Sequence, residues 1–486
     1  MRVPMVDLRP VAKGESLNFQ TIVIGAGGGG LAAAVAAREE GASVLLLEKR
    51  GAAGGNTALA RGIFAADSPV QKRMKIDAPK DELFRTAMSY AHWKTNPRIV
   101  RAFMDKSGDT IRWLEEKGLR FEDVLNYNNV GRRFFHVPEG RGAGLVKLLV
   151  KKCEEMGVRL LYGTAAKKIL TNEKGKVIGV LAATKEKELR IVGQSVIIAT
   201  GGYSGNRELL KKYYPDYTED LCLHGSPNMG DGLLMATGIG AATEGLGILH
   251  LRGPRFPESS YIAVVAEEPN TIWVNKEGER FIDEATAFYW PEAGNALNRQ
   301  PYKIAYTLFD EKIKKGFMEQ GMIKGVAHFP PGTKMTELEK ELRLQLDKGT
   351  IKRSDSWGEI AGWIGVSPNV LQDVIEEYNS FCDQRCDGLF AKDPRFLQPL
   401  RTPPYYAVKC VQSFHGTIGG IKINHHMEVL DQRGHPIAGL YAAGIDTGGW
   451  ESDTYCVTLS GSAFGFALNS GRIAGENAFR YISKEA

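Results

Sequence analysis

The sequence predicts an α/β protein with a second domain inserted into it, and three observations predict it. Residues 21–50 (TIVIGAGGGGLAAAVAAREEGASVLLLEKR) read as strand, glycine turn, helix and second strand. Strand patterns that end in paired glycines return at 195–202 and across 405–486, and the stretch 256–404 between them has a different composition. These shifts give expected domain limits of 18–255, 256–404 and 405–486.

The first unit is the most specific. The β-branched run Thr21 to Ile24 leads into Gly25, and Gly25-x-Gly27-x-x-Gly30 follows at the spacing that lets backbone amides approach a pyrophosphate at a helix N-terminus. Gly28, Gly29 and Gly30 in succession each cost a helix roughly 1 kcal/mol against alanine, and close approach of a ligand is the reason expected for them. An Ala-rich helix, Leu31 to Glu40, should pack on a sheet, and a second strand, Ser43 to Leu47, ends in Glu48. Glu48 is placed to accept from ribose hydroxyls and would repel a 2′-phosphate. A further glycine loop, Gly54-Gly55-Asn56-Thr57, directly follows this strand; it is hard to explain for NAD and suits a cofactor with a flavin to seat, so FAD is expected.

Composition excludes several classes. The chain has 486 residues, 43% hydrophobic and 24% charged, which argues against disorder, and a net charge of +5 with no Lys/Arg block argues against nucleic-acid binding. Six scattered cysteines, of which only Cys382 and Cys386 are close, match no common zinc, haem or iron–sulfur spacing and are expected as thiols. The N-terminus lacks an apolar leader core and no apolar run reaches ~20 residues, so a cytoplasmic protein without a membrane span is expected.

Along the chain, Lys80 to Ala91 and Asn96 to Lys117 have helical periodicity. Residues 132–144 lead into a helix, Leu145 to Met156, then a strand, Arg159 to Tyr162, and a meander of Ala165 to Thr171, Val177 to Thr184 and Glu188 to Val192. Ser195 to Gly202 and the helix opened by Gly230-Asp231-Gly232 read as returns to the cofactor. The middle stretch brings Trp273, Phe281, Tyr289 and Trp290, then helices over 308–320, 336–347 and 367–385. Gly419-Gly420, Gly444, Gly448-Gly449 and a helix from Ser460 to Tyr481 close the chain.

Taken in order, GxGxxG, GGNTALARG (54–62), ATGGYSGN (199–206), GDGLLMATGIGAA (230–242), VNKEGERFIDE (274–284), GTIGGIKIN (416–424), GLYAAGIDTGG (439–449) and GRIAGENA (471–478) resemble flavoproteins of the fumarate reductase and 3-ketosteroid dehydrogenase superfamily. The resemblance implies a doubly wound, Rossmann-like three-layer domain built from both ends of the chain, with an inserted α+β cap over the flavin. It implies hydride transfer between flavin N5 and a carbon near an activating group, while a protein group handles the proton. FAD contacts are implied for Gly25, Gly27, Gly28, Gly30, Glu48 and Lys49; for Gly55, Asn56, Thr57 and Gly62; for Ala165; for Ala199, Thr200, Gly201, Gly202 and Asn206; for Gly230 and Asp231; and for Gly419, Gly444, Ser460 and Ala463. Gly55-Asn56-Thr57 offers no histidine tether, so noncovalent FAD is expected.

The departures from the fumarate reductase branch concern substrate. Phe288 and Thr458 stand where that branch has its proton-donating and carboxylate-clamping arginines, and Gly416 stands where it has a histidine, preceded here by His415. A buried dicarboxylate needs guanidinium partners. The site resembles the ketosteroid dehydrogenase branch instead, whose two tyrosines match Tyr289 and Tyr455, while the branch's glycine amide facing the ketone corresponds to Leu459. His136 falls in a family His-x-Pro segment, and Trp450, Glu451 and Asp453 either line the pocket or cap the last helix. The leading expectation is an FAD-dependent CH–CH oxidoreductase that introduces or reduces a C=C bond α,β to a ketone in a neutral, cyclic substrate, with Tyr289, Tyr455 and His415 as catalytic groups. One alternative is an enoate reductase anchored by Arg252 or Arg132, and another is a flavin electron-transfer subunit. Electrons are expected from or to an external partner, since no haem or iron–sulfur motif is present.

Overall fold

A computed structural model of the chain describes residues 17–126, 132–326 and 329–485. The reading of the first sixteen residues as free of a leader core lies outside them. The described residues form two compact units, one made of the chain up to Pro215, Gly225–Leu249 and everything from Gly416, the other of Asp216–His224 and His250–His415. The second unit thus takes in more chain than 256–404, because strands Cys222–Leu223 and Leu249–Arg255 both pair with Tyr405–Thr417.

In the first unit, the apolar run at the start forms strand Leu17–Ile24, flanked in parallel by Val44–Leu47 and Glu188–Ile198, with Thr21 opposite Val44 and Ile22 opposite Val196. Arg159–Leu161 extends the sheet beyond Val44–Leu47, and Pro436–Ala442 extends it beyond Glu188–Ile198, both in parallel. Residues from the C-terminal stretch therefore complete the sheet begun near the N-terminus. Val23, Leu45, Leu46, Val196 and Leu440 are fully buried, as strands covered on both faces require. The segments expected as two strands, 188–192 and 195–202, are one strand, Glu188–Ile198. The polar step at Ser195 does not break it, because the hydroxyl donates to Thr21 Oγ1 of the neighbouring strand at 3.1 Å.

The first helix starts earlier than Leu31, at Gly28, and runs to Glu39. Its glycines and alanines face the final helix, Ser462–Glu485. A Cβ on Gly471 would lie 2.2 Å from the Gly29 carbonyl oxygen, and one on Gly475 would lie 2.4 Å from that of Ala33. Small residues thus bring two backbones together with no side chain between them.

Asp446, in the loop before the final helix, ties the sheet's loops to one another. Its buried carboxylate accepts from the amides of Gly201 (3.0 Å) and Gly202 (2.9 Å), from the Thr200 hydroxyl (2.9 Å) and from the Thr200 amide. Thr200 Oγ1 in turn accepts from the Gly232 amide at 3.0 Å, at the start of helix Asp231–Thr237. Gly420 fits only because it has no side chain, since a Cβ there would sit 2.1 Å from the Asp446 carbonyl oxygen.

The second unit is a six-stranded sheet around Tyr405–Thr417, which pairs antiparallel with Ile304–Asp310 and Ile351–Ser354. The helix expected over 308–320 is instead the end of strand Ile304–Asp310 followed by helix Glu311–Glu319. Asp310 makes that division, its Oδ1 accepting from the Ile313 amide at 2.9 Å as the helix cap. Helix Trp357–Ile364 and strand Ile351–Ser354 are additions to the expected elements. The RFIDE motif is a buried charge cluster: Arg280 pairs with Glu284 (2.9 Å) and Asp387 (3.0 Å), and Lys392 pairs with Glu284 (2.9 Å).

Two substitutions of the same kind should act in opposite directions. Gly471→Ala should destabilise by about 2 kcal/mol or more through overpacking, whereas Gly316→Ala, in a helix with nothing within 4 Å of the new methyl, should stabilise by about 0.5–1 kcal/mol. Urea unfolding of both variants checks this. In the same assay Asp446→Ala, which strips an acceptor from buried amides, should cost about 3 kcal/mol or more.

Candidate functional site

The glycine turn has two kinds of glycine. Gly25 has φ +104°, and a Cβ on Gly30 would lie 1.8 Å from the Gly25 carbonyl oxygen. A Cβ on Gly28 would lie 2.7 Å from Thr57 Oγ1, which already accepts the Gly28 amide at 2.9 Å, and one on Gly29 would lie 3.2 Å from the Ala467 carbonyl oxygen. The protein's own packing therefore requires Gly30 and crowds Gly28 and Gly29, a constraint that acts besides the ligand approach expected for the run. Gly27 differs, since a Cβ there meets only the Gly54 carbonyl oxygen at 3.9 Å. The N-cap residue Gly27 supplies no side-chain cap and the first turn has no acidic residue, so, with the Gly28 amide already taken by Thr57 Oγ1, the rest of this positive helix end fits a pyrophosphate. Gly55 too has open space around its Cα.

Several residues expected at a cofactor make contacts of their own. Glu48 accepts from the amides of Ala26 (2.9 Å, Oε2) and Arg50 (2.8 Å, Oε1), which places its carboxylate against the glycine turn; a carboxylate has acceptor capacity beyond these two bonds. Lys49 and Asp231 form an ion pair with each other. Asn56 Oδ1 accepts the Ser226 amide at 2.6 Å, and Asn206 caps helix Arg207–Tyr213 while its amide group donates to Met229 O at 2.9 Å. Gly62 and Gly419 are packed against Phe135 and Gly245, Ser460 Oγ donates to Val457 O at 2.6 Å, and Ala165 opens strand Ala165–Thr171. The Ala199–Gly202 loop follows its strand directly, with Ala199 N donating to Ile24 O at 2.8 Å, Gly230 N donating to Gly202 O at 3.0 Å and Gly444 N donating to Ser470 Oγ at 2.9 Å. Asp446, which holds this loop, is absent from the residues expected at the site; an acid between two glycine pairs, in GIDTGG, is the signal the sequence carries.

Tyr455 lies in the first unit and is buried. Its hydroxyl oxygen accepts the Ala463 amide at 3.5 Å and is hydrogen-bonded to Ser462, and burial pushes the phenol well above its usual range. Glu451 is also buried: its Oε1 accepts from the Cys456 amide at 3.4 Å and lies 3.5 Å from Ser462 Oγ, and burial pushes the carboxyl up to about 8. Asp453 pairs with Lys94 at the surface, and Trp450 stacks on Phe466 with centroids 4.6 Å apart. The amide of Leu459, which stands in place of the branch's ketone-facing glycine, donates to Cys456 O at 3.0 Å, because Val457–Leu459 is a tight 3₁₀ turn. His136 donates from Nδ1 to Phe134 O (2.9 Å) and accepts at Nε2 from Ser68 (2.6 Å), so it is a neutral, fully engaged histidine whose burial lowers it to about 4.

The second unit brings His415 beside His250, His224 and Trp290, with ring centroids 4.9, 5.1 and 6.2 Å away. Its Nδ1 donates to His224 O at 3.1 Å, leaving the Nε2 lone pair as the acceptor. Burial and the neighbouring His250 hold its imidazole well below the usual range, so it is neutral. Tyr289, next to Trp290, is 39% exposed at the start of helix Trp290–Asn298. Arg252 forms a buried two-point pair with Glu267 (3.0 and 2.6 Å), and Glu267 also binds Lys324 at 3.1 Å. Arg132, in the first unit, pairs with Asp77 (3.1 Å) and Glu82 (2.8 Å). Among the described residues no cluster of His, Cys, Asp and Glu is arranged to hold a metal ion, and no helix is long and apolar enough to cross a membrane.

Comparison with known proteins agrees with this architecture. Residues 20–454 match the FAD binding domain family. The chain is 32% identical over 450 residues to a vinyl phenol reductase of Lactiplantibacillus plantarum, covering 89% of this chain and 90% of that protein. It is 29% identical to a probable fumarate reductase of Shewanella frigidimarina, covering 97% and 77%. The fold matches 3-ketosteroid Δ1-dehydrogenase from Sterolibacterium denitrificans with a TM-score of 0.80 at 20% identity, covering 96% of this chain and all of that one. The chain belongs to the FAD-binding family that includes fumarate reductases and 3-ketosteroid dehydrogenases, and it is an FAD-dependent oxidoreductase.

Proposed function

We propose that the chain reduces a C=C bond conjugated with a ring-borne oxygen, a phenol or a ketone, in a neutral substrate. One observation carries this reading: no guanidinium stands at 288 or 458, where Phe288 and Thr458 are found, and Arg252 and Arg132 are each engaged by carboxylates of the protein. A substrate carboxylate would have to be desolvated without a charged partner at those positions, which is strongly unfavourable. The similarity to a vinyl phenol reductase supports the same class, since vinyl phenol carries a C=C bond conjugated to a ring hydroxyl and no carboxylate. The reductive direction follows two relatives that share most of this chain, both of them named as reductases.

Bound FAD supplies hydride chemistry. The residues proposed to hold it are the open Gly27 side of the turn, Glu48, and the Thr200–Gly202 loop fixed by Asp446. Tyr455 is proposed as proton donor, because a buried phenol whose ionisation is suppressed keeps its proton until a carbon needs it, which favours this role over that of a phenolate base. His415 is neutral with its acceptor nitrogen available at Nε2, so its proposed role is to accept a hydrogen bond or proton. Tyr289 is retained as a second phenol for orienting substrate. An external reductant supplies the electrons.

Anaerobically reduced enzyme mixed with vinyl phenol or 2-cyclohexenone should regain oxidised-flavin absorbance, and acrylate or fumarate should not bring it back. Reoxidation by the acids alone would overturn the neutral-substrate reading, and reoxidation by none of the four would favour an electron-transfer subunit. Tyr455→Phe should retain flavin and lose at least about 100-fold in kcat, measured by steady-state turnover; unchanged turnover would remove Tyr455 from the chemistry.

A further inference from the structure

Five buried carboxylates outside the RFIDE cluster separate by what faces them, and Asp310 among them accepts three amides, from Ile313 (2.9 Å), Arg401 (3.0 Å) and Thr402 (2.9 Å). Glu267 has two cations, Arg252 and Lys324, which against the opposing effect of burial hold it down at about 2. Glu268 accepts three amides, from Ile323 (2.6 Å), Lys324 (3.1 Å) and Gly325 (2.8 Å). Asp446 accepts three amides and a hydroxyl. Glu451 is less well served: among the described residues no cation pairs with it, and it accepts a single long amide bond, from Cys456 at 3.4 Å, with the Ser462 hydroxyl at 3.5 Å. A carboxylate so placed is uncompensated, and the group is most stable as the neutral acid.

Its position gives that proton a use. Ser462 Oγ lies 3.5 Å from Glu451 Oε1 and is also hydrogen-bonded to the Tyr455 hydroxyl, and all three side chains are buried in the first unit. The other titratable groups around them are the Cys456 thiol, 3.1 Å from Thr458 Oγ1, and Tyr90, whose hydroxyl donates to Tyr455 O at 3.1 Å; the Lys94–Asp453 pair lies at the surface.

We propose that Glu451 is a proton store for Tyr455, connected to it through the Ser462 hydroxyl. This rests on the reading of Tyr455 as proton donor. After Tyr455 gives its proton to a substrate carbon, Ser462 passes its hydroxyl proton to the phenolate oxygen and takes the carboxyl proton of Glu451. Each O–H bond broken is replaced by one formed, nothing is oxidised or reduced, and the Glu451 carboxylate recovers a proton from solvent between turnovers. Glu451 is thus a positioning residue that keeps the donor charged with its proton, and above about pH 8 the store should empty.

The test uses the FAD-loaded full chain with whichever probe, vinyl phenol or 2-cyclohexenone, it turns over. Wild type should lose kcat on an alkaline limb near pH 8. Glu451→Gln, which keeps the shape of the neutral acid, should retain flavin and KM, lose at least about tenfold in kcat and lose that limb; Glu451→Asp should restore part of both. A readout without turnover accompanies it. Because the folded-state carboxyl sits above its unfolded value, the stability it contributes is present below the ordinary glutamate range and is lost as pH rises through about 8. The fall in urea midpoint across that interval should therefore be shallower in Glu451→Gln. A Glu451→Gln variant with wild-type kcat and alkaline limb, or with an unaltered pH dependence of stability, would overturn the proposal. Tyr455→Phe is run in parallel: loss of activity in Tyr455→Phe with no effect of Glu451→Gln refutes the store alone, whereas full activity of Tyr455→Phe refutes the donor on which it rests.

Discussion

The site depends on one buried carboxylate that, among the described residues, has no cation paired with it. Asp446 is stabilised by donors from a single four-residue loop, and through them it fixes where the Ala199–Gly202 turn meets the segment that leads into the final helix. Burial raises the Asp446 carboxyl while these amides and the Thr200 hydroxyl oppose the rise, so the loop geometry and the ionisation state support each other. The glycines around it follow from the same constraint. Gly420 is limited by the Asp446 carbonyl, and Gly201 and Gly202 adopt φ of +88° and +80° so that successive amides point at one carboxylate.

Close backbone packing is the second support. The helix at Gly28 and the helix at Ser462 meet through glycine and alanine, so the chain's first and last helices share a core without a bulky side chain between them. This explains why a glycine-rich turn can be rigid. Its glycines at 28–30 leave little free volume on the helix side, and the open positions are Gly27 and Gly55. The second unit is stabilised differently, with Arg280, Lys392, Glu284 and Asp387 satisfying one another in a buried cluster.

The family and the cofactor were legible in the sequence because glycine spacing reports backbone geometry, and backbone geometry is what a dinucleotide fold shares. The strands at 44–47, 165–171 and 177–183 were legible for the same local reason. Less legible was anything that depends on distant partners. The packing of Gly28 to Gly30 against Thr57, Ala467 and Gly25, and the turn that takes up the Leu459 amide, appear only in the fold. Asp446 and Glu451 are identical in kind to any surface acid until the fold buries them. Tyr455 and His415 could be located by motif, but their protonation states come from burial and from Ser462, His224 and His250, none of which is near in sequence except Ser462.

The claim that most of the account rests on is that the substrate is neutral. The direct measurement is a titration of the oxidised flavin spectrum of the purified protein with the saturated products, ethylphenol and cyclohexanone on one side and succinate and propionate on the other. The account predicts saturable perturbation of the flavin bands by a neutral product and none by the carboxylates. Saturable perturbation by a carboxylate with none from either neutral compound would contradict it.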